Sequence, residues 1–469
     1  MTLLVSGAVG LRAAAAAAAA AAGRALAPAA SAVPTLLHHT PNPSQHQHQH
    51  AQPPLQRHAD AAQTPSQRPP SGHRGICGGA GAAYAPQYGG YLGTGTAAPV
   101  AHGDTATETR VLVTGACGQI GAELVPYLRA RLGTENVIAS DVKTNPGMLR
   151  DGPFMYLDVQ DKDNLTRVVL ENGVNCVAHL ATLLSAVGER NPQLALRINT
   201  TGIQNVLDIA ANHGLKVFSP STIAVFGDTS PREMTPDNTV MQPKTMYGVT
   251  KVHQELLGSY YRERFNVDYR SLRYPGIISS KAAPGGGTTD YAVEIFHAAL
   301  SQPRAYTCFL EADAKLPMMY MPDCLEATWK LMMAPPEQLT RATYNVTAMT
   351  FSPEELAAAI TRVVPGFSVT YTPDFRNDIA STWPDSVDDR AARHDWGWQH
   401  RYDLTSMVDH MLSELTARER KRADEAAARL LAAEAARATG TAAAAQTQAH
   451  ARVAAAPGEA WAPMPMRRW

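Results

Sequence analysis

Arg110-Val111-Leu112-Val113-Thr114-Gly115-Ala116-Cys117-Gly118-Gln119-Ile120-Gly121 sets a short apolar run directly before three glycines spaced three apart. A run of this kind reads as a strand buried on both faces, and apolar residues at helical spacing, Ile120, Leu124 and Leu128, make the following segment a helix. In that context Gly115 permits a tight turn, Gly118 lets the backbone approach a pyrophosphate, and Gly121 lets the helix pack closely on the sheet. The first helical amides, around Gln119 and Ile120, then face the anion.

The same alternation continues downstream. The pattern predicts strands over 110–114, 136–140, 154–157, 175–180, 216–219 and 267–273, and helices over 119–131, 161–171, 192–212 and 245–265. Short apolar strands between helices define an α/β fold, a Rossmann-type doubly wound parallel sheet. After Arg273 the alternation loosens into a glycine-rich loop, short strands near Tyr306 and Tyr344, and helices near Pro322 and Pro353. This predicts a small C-terminal substrate-binding lobe, mainly over 274–416, beside a cofactor part over about 109–273.

Composition bounds the rest. Residues 1–108 are dominated by Ala, Pro, Gln, His and Gly, which predicts a disordered extension. Arg12 and Arg24 precede the first acidic residue, Asp60, in an Ala-rich start, the composition of an organellar transit peptide, mitochondrial first and plastid second. Residues 417–469 read as a charged helix, with Arg418, Arg420, Lys421 and Arg422, that runs into Ala-rich sequence. A net charge of -1 offers nothing to nucleic acid. No apolar stretch is long enough to span a bilayer, so no membrane partner is expected. Five scattered cysteines without a Cys-x-x-Cys pair predict neither a disulfide framework nor a metal site.

Asp141 stands about twenty positions after Gly121 at the end of the second predicted strand, where a carboxylate accepts ribose hydroxyls and repels a 2′-phosphate. The cofactor expected is therefore NAD. Asp158-Val159 follows the third strand; Asp158 either approaches the adenine amine or caps the next helix. Tyr247 and Lys251 are spaced i, i+4 and share one face of a predicted helix. A tyrosine is a poor base near neutral pH, and a neighbouring ammonium favours its phenolate. A hydroxyl from the preceding strand end completes the set, with Thr222 and Ser221 as the two candidates.

With the glycine fingerprint, Asp141, Asp158-Val159, His179-Leu180-Ala181-Thr182, Ser221-Thr222 and Tyr247-x-x-x-Lys251 in this order, residues 110–415 resemble the extended short-chain dehydrogenase/reductase family. That resemblance implies that Leu180, Ala181 and Thr182 line the cofactor, that Asn199 braces the central helix, and that Tyr274, Gly276 and Ile277 pass near the nicotinamide. Arg273-Tyr274-Pro275-Gly276-Ile277, the run Leu183-Leu184-Ser185-Ala186 and the loop Pro284 to Ala292 are similar to the threonine-oxidising branch of the family. The branch implies oxidation of L-threonine to 2-amino-3-ketobutyrate, with Ser185, Gly287 and Thr288 joining Thr222 and Tyr247 around the substrate. It further implies a homodimer and a functional link to a 2-amino-3-ketobutyrate CoA ligase. Two alternatives stay open at this point: a nucleotide-sugar epimerase or dehydratase, and a non-catalytic NAD-binding regulatory protein.

Overall fold

The computed structural model describes residues 109–143, 149–282 and 287–438. The 1–108 extension, the segment beyond 438, and Gly285 and Gly286 of the glycine-rich loop lie outside the described residues.

The apolar run ahead of the glycines is β1 (Val111–Thr114), buried throughout, and the helix after them is α1 (Gly121–Leu132). There follow β2 (Val137–Asp141), β3 (Phe154–Tyr156), α2 (Lys162–Glu171), β4 (Cys176–His179), α3 (Ser185–Arg190), α4 (Pro192–His213), β5 (Lys216–Phe218), β6 (Ser221–Thr222), α5 (Met246–Phe265) and β7 (Asp268–Tyr274). Each predicted strand and helix up to residue 273 forms within two residues of its expected limits. The short helix α3 is an addition. Downstream lie β8 (Gly276–Ile278), α6 (Tyr291–Leu300), β9 (Ala305–Cys308), β10 (Leu316–Tyr320), α7 (Met321–Met333), β11 (Thr343–Asn345), β12 (Met349–Phe351), α8 (Pro353–Val363), β13 (Ser368–Tyr371), α9 (Phe375–Ala380), α10 (Arg390–Trp396) and α11 (Leu404–Ala438).

The main sheet runs β3-β2-β1-β4-β5-β7-β11, with β6 beside β7, and every pair in it is parallel. From β1 the chain winds outward to β2 and β3, then crosses back to β4 on the other side. That reversal leaves a crevice beyond the carboxyl ends of β1 and β4, the place where open α/β sheets bind ligands. Thr114 and His179, in register at those ends, bond Oγ1 to Nδ1 at 2.9 Å. Burial pushes the His179 imidazole down to about 3, so it is neutral.

The second lobe holds a three-stranded sheet, β8-β10-β12, and the pair β9-β13. Not all of 274–416 belongs to it. Strand β11 extends the main sheet by pairing Tyr344 with Leu272, and α7 contributes Cys324 and Leu331 to the core that holds Val111 and Leu124. Without β11 the outer backbone edge of β7 would lack a partner, which is a physical reason for the chain to return.

The return is secured by Arg270, 1% exposed on β7. Its Nη1 donates to the carbonyls of Leu331, Met332 and Ala334, satisfying the last turn of α7, while Nε and Nη2 donate to the Asp268 carboxylate. Arg270→Met strands those carbonyls and Asp268, and is expected to cost about 3–5 kcal/mol in urea unfolding without moving any residue of the crevice.

Helix α11 begins before the predicted boundary at 416. Met407, Val408, Met411, Leu412 and Leu415 pack in the lobe core, whereas 419–433 are exposed on all sides. The charged segment is therefore solvated, as its composition suggests, but it continues a helix that starts inside the lobe.

Candidate active site

The crevice brings the dispersed motifs together. Its walls include Gly115, Gly118, Gln119, Ile120 and Gly121 from the β1–α1 turn, Leu180 and Thr182 after β4, and Ser221 and Thr222 on β6. Tyr247 and Lys251 reach it from α5, and Tyr274, Gly276 and Ile277 from the β7–β8 junction. Ser185, Gly287 and Thr288 close it from the lobe side.

The turn is as tight as three glycines allow. Gly115 has φ +67°, and a Cβ there would lie 2.7 Å from the Ala181 nitrogen; a Cβ on Gly121 would lie 2.5 Å from the Gly115 carbonyl oxygen. Ala181 therefore backs the turn without lining the crevice. Gln119 Nε2 donates to the Ile277 carbonyl at 3.3 Å and ties the turn to the β7–β8 junction. Asp141 sits at the end of β2, its Oδ2 accepting from the Cys117 amide and its Oδ1 from the Lys143 amide.

Asp158 and Val159 do not line the crevice. Asp158 accepts from the Gln160 amide, and the cap of α2 is Asp161, which accepts from Asn164. Val159 is buried and its carbonyl accepts from Asn205 Nδ2. Asn199 lies behind the crevice wall: its Nδ2 donates to Thr250 Oγ1, and that hydroxyl donates to the Tyr247 carbonyl. These bonds tie α4 to the first turn of α5.

At the centre, Thr245 caps α5 by accepting from the Gly248 amide, and the first turn presents Tyr247. The Thr222 hydroxyl, which accepts from the Ala224 amide at 3.2 Å, faces the Tyr247 phenol across the crevice; burial pushes that phenol up to about 12, and Thr222 opposes the rise. Lys251 Nζ donates to the Pro220 carbonyl at 2.8 Å and to Gln254 Oε1 at 2.9 Å, and lies 5.8 Å from the Tyr247 ring centre. Burial pulls the Lys251 ammonium down to about 7, against the opposing charge of Glu255. Ser221, the other candidate hydroxyl, instead donates to Glu255. The pair therefore divides: Thr222 faces the phenol and Ser221 faces the core.

On the lobe side, Ser185 Oγ and Thr288 Oγ1 lie 3.3 Å apart although 103 residues separate them. Gly287 donates its amide to Asp290 Oδ2. Asp290 of the loop Pro284 to Ala292 lines the crevice too, as do Trp383 and Ile223, neither of which carries a motif that the sequence pattern could single out.

The residues present fit a dinucleotide. The turn stays bare of side chains because a Cβ at Gly115 or Gly121 would overlap backbone, and Thr182 Oγ1 is buried in the crevice wall with no hydrogen-bond partner among the described residues. A polar ligand in the crevice would satisfy it.

The profile of the NAD dependent epimerase/dehydratase family matches residues 111–347. The chain belongs to this family, and its cofactor is NAD. At higher resemblance the relatives carry a narrower name. A Bos taurus protein named mitochondrial L-threonine 3-dehydrogenase is 52% identical over 310 residues, which span 66% of this chain and 83% of the relative. The crystal structure of an L-threonine dehydrogenase from Phytophthora infestans is 60% identical, with a TM-score of 0.65, covering 66% of this chain and all of that one. The holo form of an L-threonine dehydrogenase from Cupriavidus necator is 49% identical, with a TM-score of 0.64, covering 65% of this chain and 99% of that one.

Proposed function

We propose that this chain is an NAD-dependent oxidoreductase that oxidises the 3-hydroxyl of L-threonine to 2-amino-3-ketobutyrate. The observation that carries the reading is the convergence of Tyr247, Thr222 and Lys251 with the Ser185–Thr288 hydroxyl pair in one crevice, in a chain this similar to threonine dehydrogenases. NAD, when bound, accepts hydride from the carbinol carbon. Gly115, Gly118, Gln119, Ile120 and Gly121 would hold its pyrophosphate, Asp141 its adenosine ribose, and Leu180, Thr182, Tyr274, Gly276 and Ile277 its nicotinamide half. Ala181 and Asn199 support these walls from behind, and Asp158-Val159 stands at the adenine end of the sheet.

Tyr247 takes the substrate hydroxyl proton, and Thr222 holds the same oxygen against it by donating a hydrogen bond that strengthens as the oxygen gains charge. The Lys251 ammonium, fixed on the Pro220 carbonyl, lowers the cost of the phenolate. Ser185, Gly287 and Thr288 hold the amino-acid end of the substrate, and Trp383 gives the crevice an apolar wall beside them. The test is threonine-dependent reduction of NAD by the purified protein; turnover of a UDP-sugar or dTDP-sugar without any on L-threonine would replace this reading with the epimerase one. Thr222→Val is expected to lower kcat by about tenfold to a hundredfold with little change in NADH affinity, measured by stopped-flow turnover and NADH fluorescence.

The mitochondrial name of the Bos taurus relative supports a mitochondrial address for this chain, with the transit peptide in the Arg-bearing start. A homodimer is supported by exposed apolar side chains on the outer face of α5, Val249, Leu256 and Tyr260, with Leu196 on neighbouring α4. Such a strip of apolar surface favours a partner helix pair over water. The product, a β-keto amino acid prone to lose carbon dioxide, fits coupling to a 2-amino-3-ketobutyrate CoA ligase.

A further inference from the structure

Glu255 stands one turn beyond Lys251 on α5 and is 4% exposed. Its Oε1 accepts from Arg273 Nε at 2.9 Å and from Ser221 Oγ, and its Oε2 accepts from Arg273 Nη2 at 2.7 Å. Arg273 is held in turn, its Nη1 donating to the Asp237 carbonyl and to Asn345 Oδ1. A buried, bidentate pair anchored at both ends has one geometry available to it, and whatever else it touches inherits that geometry.

What it touches is the catalytic strand. Ser221 and Thr222 are adjacent on a strand, so their side chains point to opposite sides. Fixing the Ser221 hydroxyl on Glu255 therefore fixes the direction of the Thr222 hydroxyl toward Tyr247. Gln254 adds to this clamp by donating to the Ser219 and Pro220 carbonyls.

We propose that Glu255, held by Arg273, is a positioning residue for the reaction: it orients Thr222 through Ser221 and sets a carboxylate one helical turn from Lys251. The proposal rests on the assignment of Tyr247, Lys251 and Thr222 to proton transfer. The groups around Lys251 leave the negative charge beside it to Glu255. His179 of β4 is neutral, Arg273 and Tyr269 on β7 offer no free negative charge, and on its own helix Tyr247 carries one only as the phenolate that takes the substrate proton. Burial disfavours the ammonium and Glu255 opposes it, so removing the carboxylate charge makes Lys251 lose its proton at lower pH.

The test compares three variants of the full chain. Glu255→Gln removes the charge and is expected to lower kcat about tenfold and to move the alkaline limb of the kcat profile down by about one pH unit, with the KM for NAD within about twofold. Glu255→Asp keeps the charge and shortens the reach; its limb stays at the wild-type pH while kcat falls. Ser221→Ala leaves the ion pair intact and is expected to lower kcat about threefold with unmoved limbs.

A merely structural role predicts lower melting temperatures with kcat and limbs unchanged, and that result overturns the proposal. Should Glu255→Gln fail to fold by circular dichroism, unchanged kcat in both remaining variants overturns it. Wild-type protein inactive on L-threonine defeats the substrate reading instead. The pH dependence of Lys251 labelling by cyanate, followed by peptide mass spectrometry, then decides without substrate. A midpoint lowered in Glu255→Gln, or unmoved in Glu255→Asp if the former is unfolded, supports the proposal; an unmoved Gln midpoint, or a lowered Asp midpoint, overturns it.

Discussion

Tyr247→Phe is expected to lower kcat for L-threonine oxidation by on the order of a thousandfold while the protein folds normally and binds NADH within about threefold of wild type. The change removes one oxygen, which faces the Thr222 hydroxyl in the crevice. The ring keeps its packing against the lobe core. The glycine turn, Asp141 and Lys251 are untouched by the change, which is why NADH affinity is expected to hold. Stopped-flow turnover together with NADH fluorescence separates the two halves of this expectation. A variant that retains more than a tenth of wild-type kcat would remove Tyr247 from proton transfer and shift the search for a base to Lys251.

Gly121→Val is expected to weaken NADH binding at least about a hundredfold and to cost about 3 kcal/mol of stability. A Cβ at this position would stand 2.5 Å from the Gly115 carbonyl oxygen, 2.7 Å from Ala116 Cα and 2.8 Å from the Ala116 carbonyl oxygen. All three are backbone atoms of the turn itself, so no side chain can swing aside to relieve the overlap. Helix α1 must move away from β1, and its first amides move with it. Fluorescence titration with NADH reads the first effect and urea unfolding the second. Binding within about threefold of wild type would show that the pyrophosphate does not rest on this turn.

The two residues that dominate these expectations were legible in the chain because their meaning is local. Three glycines after a strand, and a tyrosine and lysine one turn apart on a helix, state their geometry through spacing alone. The choice between Ser221 and Thr222 was not legible, because it depends on which of the two hydroxyls is taken by Glu255, and Glu255 is placed by Arg273, far along the chain. Asp158 and Asp161 show the same limit at smaller scale: both precede α2, and only the turn geometry decides that Asp161 caps it. Trp383 reaches the crevice from an irregular segment after α9, with no periodicity to announce it. The path of the chain beyond β7 escaped notice for a different reason. Nothing in the residues near Tyr344 distinguishes a strand of the second lobe from one that returns to the main sheet, since that depends on the open edge it finds there.

The Ser185–Thr288 pair has a consequence for the order in which the molecule acquires its properties. A chain made from its amino terminus emerges with the glycine turn, Asp141, Thr182 and Ser185 well before Thr288, and Trp383 later still. On the assignment proposed above, half of the grip on substrate exists for a time with no opposing half. A ribosome-bound chain, or a fragment cut ahead of the lobe, would have much of the nucleotide pocket but nothing to hold a small amino acid against it. Selectivity for that amino acid arrives last in synthesis, with the lobe that completes the fold.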